Sequence, residues 1–441
     1  MGRRSQLLVL PTGGGKTVCF SYMAGRAVEK GLRVWILAHR VELLDQISRT
    51  LREFAVPHGV IAPGYIADRR KPVQVASVFT LARRLERYDP PDLIIVDEAH
   101  HAISASTWGK VITAFPAAKL LGVTATPIRL SGEGLGDLFE TMVQGPTMRE
   151  LIDLGALSPY RLFAPAGVDL TGVHTRMGDF VRGEIEAAMD KPSITGDAVA
   201  HYRKLAPGRR AVAFCVSVEH AVHVAEQFRA AGIPAQAIDG AMDRSLRANV
   251  LADFAAGRVQ VLASCDLVSE GFDVPAIEAA ILLRPTQSLG LYLQQVGRAL
   301  RTFPGKTEAI ILDHAGNVKR HGLPDEERVW SLDGTVRQKK AARSEVPVKT
   351  CGSCFATVHA AATHCACGFE FPVQKREVEH VEGELQEIDL ATAVKMRRQE
   401  QGRAQSEADL VALGRSRGMK RPELWARHVM RARMARTGAM R

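Results

Sequence analysis

From residue 6 to about 315 the chain alternates short apolar runs with longer segments of helical spacing. Gln6–Leu10, Arg33–Ala38, Val73–Val78, Leu93–Val96 and Leu120–Val123 have the apolar, β-branched character of strands buried on both faces. Between them lie patterns such as Arg40–Phe54, with Val41, Leu44, Ile47 and Leu51 at helical intervals. A second series follows Pro159: Arg161–Ala164, Ala211–Cys215, Ala235–Ile238, Val259–Ala263, Ala279–Leu283 and Ala309–Leu312. Strand–helix alternation of this kind predicts βαβ units on parallel sheets. The expected fold class is therefore α/β, with two tandem lobes, residues 1–155 and 156–322, whose sheets are flanked by helices. Beyond them the pattern predicts a linker (323–346), a cysteine-bearing module (347–374), and an acidic link running into a basic helical tail (375–441).

Composition narrows the picture only at the ends. The 441 residues are 46% hydrophobic and 24% charged, as in ordinary globular domains, and no apolar run is long enough to span a bilayer. Membrane partners are not expected, and the N-terminus lacks a secretory layout, so a cytoplasmic location is expected. The net charge of +10 is lopsided: residues 391–441 hold 13 Lys/Arg against four Asp/Glu, a local +9 that leaves +1 elsewhere. A basic segment around Trp425 suits a phosphate-backbone partner.

The chemistry lies at strand ends. Leu10–Thr17, read LPTGGGKT, follows a strand and opens a helix. Glycines let backbone N–H groups turn inward, and the helix N-terminus adds positive potential for phosphates. Thr12, Gly13, Gly14, Gly15, Lys16 and Thr17 thus form a candidate nucleotide loop, with Lys16 on the β/γ phosphates and the Thr17 hydroxyl on Mg2+. Leu10 stands where the general pattern has Gly. Leu93–His100 is an apolar strand ending in Asp97 and Glu98. That places Asp97 beside the same Mg2+ and leaves Glu98 to polarise the attacking water. ATP and Mg2+ are the expected cofactors.

These motifs resemble the superfamily 2 DEAD/DEAH-box helicases, and the resemblance extends over about 300 residues. Ala38–Gln46 and Val75–Leu81 look like the segments that contact the nucleic-acid backbone. Thr124-Ala-Thr-Pro127 looks like the motif that couples hydrolysis to strand movement, through Thr124 and Thr126 together with His100 and Gln294. In the second lobe Phe214–Ala221 resembles the fourth motif, Ser264–Pro275 the fifth, with Gly271 and Asp273 on the nucleotide side, and Gln294–Arg301 the sixth. The resemblance implies two RecA-like lobes, an ATP-dependent DNA helicase or translocase, and arginine fingers at Arg298 and Arg301. Among superfamily branches the RadD-like bacterial and phage proteins are most similar, because they too carry a cysteine module after the second lobe. That favours DNA over RNA and a repair role. Two departures stand out. Gln295 replaces an Arg common in the sixth motif, and the sequence begins too late to include the aromatic-and-Gln segment that reads adenine. The expectations that follow are an upstream natural start, weaker base selectivity, or an ATPase-dead remnant.

Four of the seven cysteines crowd into 17 positions, 351–367. Cys351-Gly-Ser-Cys354 and His364-Cys365-Ala-Cys367 have the spacing of two knuckles around one structural Zn2+. Cys351, Cys354 and Cys367 are three ligands; the fourth is either His364 or Cys365.

Overall fold

The computed structural model describes residues 3–129, 133–164, 173–176, 179–189, 192–265, 276–333, 348–351, 353–354, 356–359 and 361–371. Of the last segment it describes 404, 406–416, 422–423, 426–427 and 429–430. Gly271, Asp273 and Trp425 lie outside them. Two units are distinguished, Met1–Val373 and Gln374–Arg441. In the second, the helix Glu407–Ser416 pairs Glu407 with Arg427 at 3.3 Å and Arg415 with Glu423 at 2.9 Å.

The first lobe is a seven-stranded, all-parallel sheet. Its strands are β1 (Ser5–Val9), β2 (Val34–Ala38), β3 (His58–Ile61), β4 (Val73–Ser77), β5 (Leu93–Asp97), β6 (Lys119–Thr124) and β7 (Thr141–Gln144), in the order β3-β4-β2-β5-β6-β1-β7. Every residue of β2 and β4 is buried; β2 runs apolar without alternation, whereas β4 buries Gln74 and Ser77 among its apolar residues. The helix Val41–Glu53 lays Leu43, Leu44, Ile47 and Leu51 on this sheet beside Phe20 and Ala24 of the helix Lys16–Glu29.

The second lobe repeats the plan with six parallel strands. They are β8 (Tyr160–Phe163), β11 (Ala211–Phe214), β12 (Ala235–Ile238), β13 (Val261–Ser264), β14 (Ala279–Leu282) and β15 (Ala309–Asp313), ordered β12-β13-β11-β14-β15-β8. A small antiparallel pair, β9 (Thr175–Arg176) and β10 (Asp179–Phe180), lies between β8 and β11 in the chain. Two parallel α/β lobes were expected, and two are found. The edge strands β3 and β7 were not foreseen: His58-Gly-Val-Ile and Thr-Met-Val-Gln144 are short and only partly buried, so neither carries an unbroken apolar signal.

The lobes share core. Met148 and Leu151, on the helix Met148–Asp153 after β7, and Leu157 pack with Tyr292, Leu293, Val296 and Leu300 of the second lobe. Residues 323–333, the described part of the stretch expected as a linker (323–346), turn back toward the first lobe. Leu332 accepts a hydrogen bond from the Gly136 N–H at 2.9 Å, and Trp330 and Leu332 pack against the first lobe's core. Asp325 in this strap is buried and bonded to Arg149 and the Tyr160 hydroxyl. The Arg328 guanidinium donates to the carbonyls of His321, Leu323, Pro324 and Glu326.

The cysteine module lies against the second lobe. Its strands β16 (Val348–Thr350) and β17 (Thr357–His359) pair antiparallel, and the Thr357 hydroxyl accepts from the Ala164 N–H at 3.1 Å. Cys351, Ala356 and Cys365 belong to the same buried cluster as Phe163 and Tyr202.

Candidate nucleotide-hydrolysis site and cysteine centre

Because all strands of a lobe run parallel, their carboxyl ends deliver residues to one edge, and the phosphate loop is the first of these. Gly13 (φ 83°) and Gly15 (φ 79°) occupy the left-handed region that side chains with a Cβ resist. Gly14 donates to the Pro11 carbonyl at 2.9 Å and closes the turn. Gly15 precedes the 14-residue helix Lys16–Glu29, which has neither a capping side chain nor an acid in its first turn. Its leading N–H groups are therefore left for an outside anion. Leu10 is buried, and a Cβ on Gly145 would meet its Cδ2 at 2.3 Å. The residue that departs from the general loop pattern is thus a packing residue under the turn.

Asp97 closes β5, and Glu98 follows in the left-handed region (φ 47°). Both carboxylates are buried. Lys16 Nζ lies 4.0 Å from Glu98 Oε1. Burial, reinforced by the neighbouring Glu98 charge, pushes Asp97 up to about 7; Lys16, the Glu98 N–H and Arg298 pull the other way without cancelling it. His100 Nδ1 is 2.9 Å from Thr124 Oγ1 and 3.5 Å from Glu98 Oε2. The Thr124 hydroxyl spends its single proton on the Thr126 carbonyl at 2.9 Å, so His100 must be the donor, with its proton on Nδ1.

The helix Leu289–Ala299 of the second lobe closes the cleft. A Cβ on Gly297 would lie 2.5 Å from Thr12 Cβ, and one on Gly13 would lie 2.8 Å from Leu157 and 3.5 Å from Arg301 Cγ. Gln294, Gln295 and Arg298 are buried on this helix. Leu157 and Arg301 form an antiparallel bridge. Thr126 Oγ1, Thr12 Oγ1 and Gln295 Oε1 are buried without a hydrogen-bond partner among the described residues. Thr12 to Thr17, Asp97, Glu98, His100, Thr124, Thr126, Gln294, Arg298 and Arg301 thus gather around one interlobe cleft. Gly271 and Asp273 fall outside the described residues.

Sequence reasoning missed two members of this neighbourhood. The His101 ring lies 4.2 Å from that of His100 and 4.6 Å from that of His39, whose segment opens the helix after β2. A second His after the Asp-Glu-Ala-His box was visible in the sequence; its meeting with a residue 62 positions earlier was not.

The four thiols Cys351, Cys354, Cys365 and Cys367 all lie within 4.8 Å of one another, with 3.6 Å between Cys351 and Cys367 and 3.5 Å between Cys354 and Cys365. Four sulfurs at about 2.3 Å from one ion stand about 3.8 Å apart, so the set fits tetrahedral Zn2+. Hydrogen bonding from the Phe369 N–H, helped by the neighbouring thiols, brings Cys367 down to about 6. His364 is excluded from the cluster: its exposed ring turns to Glu370, with Nε2 at 3.4 Å. Of the two alternatives for the fourth ligand, Cys365 and not His364 is the one the fold brings to the other three thiols.

Two parallel α/β lobes with a phosphate loop and an acidic strand end facing the second lobe define a two-lobed RecA-fold protein. Residues 1–129 match the type III restriction enzyme, res subunit family, and residues 192–303 match the helicase conserved C-terminal domain. A 51.5 kDa protein of Lactococcus phage (isolate 7-9) is 37% identical over 383 residues, covering 86% of this chain and 81% of that protein. The putative ATP-dependent helicase IRC3 of Saccharomyces cerevisiae is 30% identical over 370 residues, covering 77% of this chain. This chain spans only about half, 53%, of the yeast protein's length. Among solved structures, a fragment of a putative HsdR subunit of a type I restriction enzyme from Vibrio vulnificus superposes with a TM-score of 0.56 at 22% identity, covering 74% of this chain and 62% of that one. The chain belongs to the superfamily 2 helicases. No helix among the described residues is long and apolar enough to cross a membrane.

Proposed function

We propose that the protein is an ATP-dependent motor that moves along DNA, and that it separates strands as it does so. The observation that carries this reading is the direct packing of the Leu289–Ala299 helix onto the phosphate loop, at Gly297 and Thr12. A cleft closed in this way excludes water and brings the second lobe's arginines toward the first lobe's carboxylates.

In this reading the loop N–H groups and Lys16 hold the phosphates of ATP. Thr17 and Asp97 would hold Mg2+, which supplies charge neutralisation to the β- and γ-oxygens when bound. The fit is chemical: two adjacent buried carboxylates, one of them raised toward neutral pH, call for a cation. Glu98 orients the attacking water and accepts its proton, with His100 Nδ1–H beside its other oxygen. Arg298 and Arg301 stabilise the charge on the departing phosphoryl group. Thr124, Thr126, His100 and Gln294 pass the state of the cleft to the nucleic-acid track, while Gly271 and Asp273 keep the nucleotide-side role their motif gives them. The four cysteines hold a structural Zn2+ that ties the module together.

DNA is preferred because the first lobe matches a restriction-enzyme subunit and because of the RadD-like resemblance. The restriction match also favours a second reading, translocation along duplex without strand separation. ATP hydrolysis with and without single- and double-stranded DNA, beside a strand-displacement assay, tests both. DNA-stimulated turnover that Lys16→Ala abolishes is the expected result. Turnover indistinguishable from Lys16→Ala, with DNA bound normally, would sink the motor reading; turnover without displacement selects the second.

A further inference from the structure

We propose that the first lobe carries a second phosphate-binding site, on the sheet edge opposite the ATP cleft, that holds the backbone of nucleic acid outside the motor's track. The nucleotide residues occupy the carboxyl ends of β1, β5 and β6, so the amino ends of these parallel strands form a separate edge. Arg33 directly precedes β2, Arg69, Arg70 and Lys71 precede β4, and Arg87 lies ahead of β5. In the sheet β2 sits between β4 and β5, so three loops distant in sequence become neighbours. They surround a cavity of about 400 Å³.

Its lining is five cations, the single acid Asp89, and Trp35, Gln74 and Tyr88. The walls are held in place before any ligand arrives. Gln74, buried and paired in register with Trp35, donates from Nε2 to the carbonyls of Asp68 at 2.9 Å and Lys71 at 3.0 Å, pinning both ends of the Arg69–Arg70 turn. The Arg33 N–H donates to Asp92 at 2.8 Å, which fixes the β2 side. A site with preset walls loses less entropy when it binds.

The acids nearby do not cancel the cations. Arg33 pairs with Asp89 at 3.0 Å, Arg70 approaches Asp68 at 3.8 Å and Arg87 approaches Glu86 at 3.7 Å, and all six side chains are well exposed. Such pairs contribute little and exchange readily for a phosphate, which a guanidinium grips with two parallel hydrogen bonds.

The same lining decides against base recognition. Trp35 is only 2% exposed, and the Tyr88 ring, 9% exposed, is capped by the Arg69 guanidinium at 5.6 Å. With no open aromatic face, stacking on bases is weak and the contact reads phosphate alone. A polymer suits the surroundings better than a free anion, because exposed Arg83 and Arg84 continue the positive charge along the chain toward Arg87. The polymer's identity follows from the motor reading, but the pocket itself does not depend on it.

The test is fluorescence anisotropy of a labelled 30-base-pair duplex without ATP, with salt titration. The variants are Arg69→Glu/Lys71→Glu and its neutral counterpart Arg69→Gln/Lys71→Gln. The charge-matched control is Lys204→Glu/Arg258→Glu on the second lobe. Loss of two phosphate contacts should weaken binding roughly tenfold or more and reduce the salt slope by about two, with the neutral pair intermediate. The control should change affinity less than twofold, and turnover without DNA should stay at wild type in all. Equal weakening by the control, or unaltered duplex affinity, overturns the proposal. So does competition by tripolyphosphate for the pocket that leaves duplex affinity untouched, since the ligand is then a free phosphate. Pocket-dependent duplex binding without any DNA-stimulated hydrolysis would instead refute the motor and leave this site standing.

Discussion

Gly297→Ala isolates lobe closure from folding. Position 297 lies inside the helix Leu289–Ala299, where alanine is intrinsically preferred to glycine by about 1 kcal/mol. The new methyl would stand 2.5 Å from Thr12 Cβ, 3.0 Å from its Cγ2 and 3.3 Å from its carbonyl oxygen. Ordinary contact between such atoms is about 3.5–4.0 Å, so helix and loop must part by roughly 1 Å. Overpacking of one methyl costs about 1–3 kcal/mol, and here it falls on the closed cleft rather than on either lobe alone. At about 1.4 kcal/mol per decade this lowers the closed population between roughly fivefold and 150-fold. A displacement of about 1 Å between reacting groups is itself worth about a hundredfold. Steady-state hydrolysis at saturating ATP and DNA should therefore fall at least tenfold in kcat. The melting temperature should hold or rise slightly. If kcat stays within twofold of wild type, the Thr12–Gly297 contact is not part of the working cycle and the closure argument fails.

His101→Ala removes the ring between His100 and His39; turnover without DNA should stay within about twofold while stimulation by DNA drops several-fold, and equal losses in both would show a merely structural ring. Zinc release measured with a chromophoric chelator should find one ion per chain in wild type and in His364→Ala but none in Cys365→Ser; the reverse pattern would restore His364 as the ligand. His321 is held neutral in the fold, brought down from 6.5 to about 4 by burial, against the pull of its bond to the Thr286 carbonyl. Its contribution is fully present above pH 6.5 and is lost as pH falls from there toward 4. Wild type should therefore lose about 2 kcal/mol more unfolding free energy than His321→Gln between pH 7.5 and 5, measured by denaturant titration, and parallel pH curves would refute the assignment.

Sequence exposed the parts of this molecule whose physics is local. β2 is buried on both faces, so it writes itself as an uninterrupted apolar run. The glycines at 13 and 15 mark the two places where the loop needs a left-handed backbone. What stayed hidden depends on meetings between distant residues. Trp330 and Leu332 sit in a polar stretch and pack against the first lobe's core only because the chain folds back to it. The choice between His364 and Cys365 could not follow from spacing, because both stand at workable separations from Cys367. Only the fold shows that Cys365 joins the other three thiols while the exposed His364 ring turns to Glu370. The cavity at the amino edge needs the strand order β4-β2-β5, which no local pattern encodes.

The same long-range contacts determine how the cleft can open. Met148, Leu151 and Leu157 are buried in the second lobe's core, at about 1.5–3 kcal/mol each, and the strap holds Trp330 and Leu332 on the first lobe. These attachments lie beside β7. At the other side of the cleft the lobes meet through Arg247 and Glu42 at 3.1 Å, a pair with Glu42 37% exposed. A partly exposed pair of this kind contributes about 1 kcal/mol or less. Glu42 follows β2, four strands from β7, a separation of about 19 Å at about 4.8 Å per strand. The strong contacts are thus gathered at one edge and the weak one far from it. An opening that turned about the Met148–Leu157 connection would break the weak Arg247–Glu42 pair at the far side of the cleft. The helix carrying Gly297 and Arg298 lies on the second lobe's side of that connection, so a rotation that breaks one ion pair would also withdraw Arg298 from Asp97, while Arg301 stays bridged to Leu157. Glu42 itself lies in the helix beginning at Val41, one of the two first-lobe segments whose sequences resemble backbone-contacting motifs. On the proposed function, one such rotation would release Arg298 and shift this segment together.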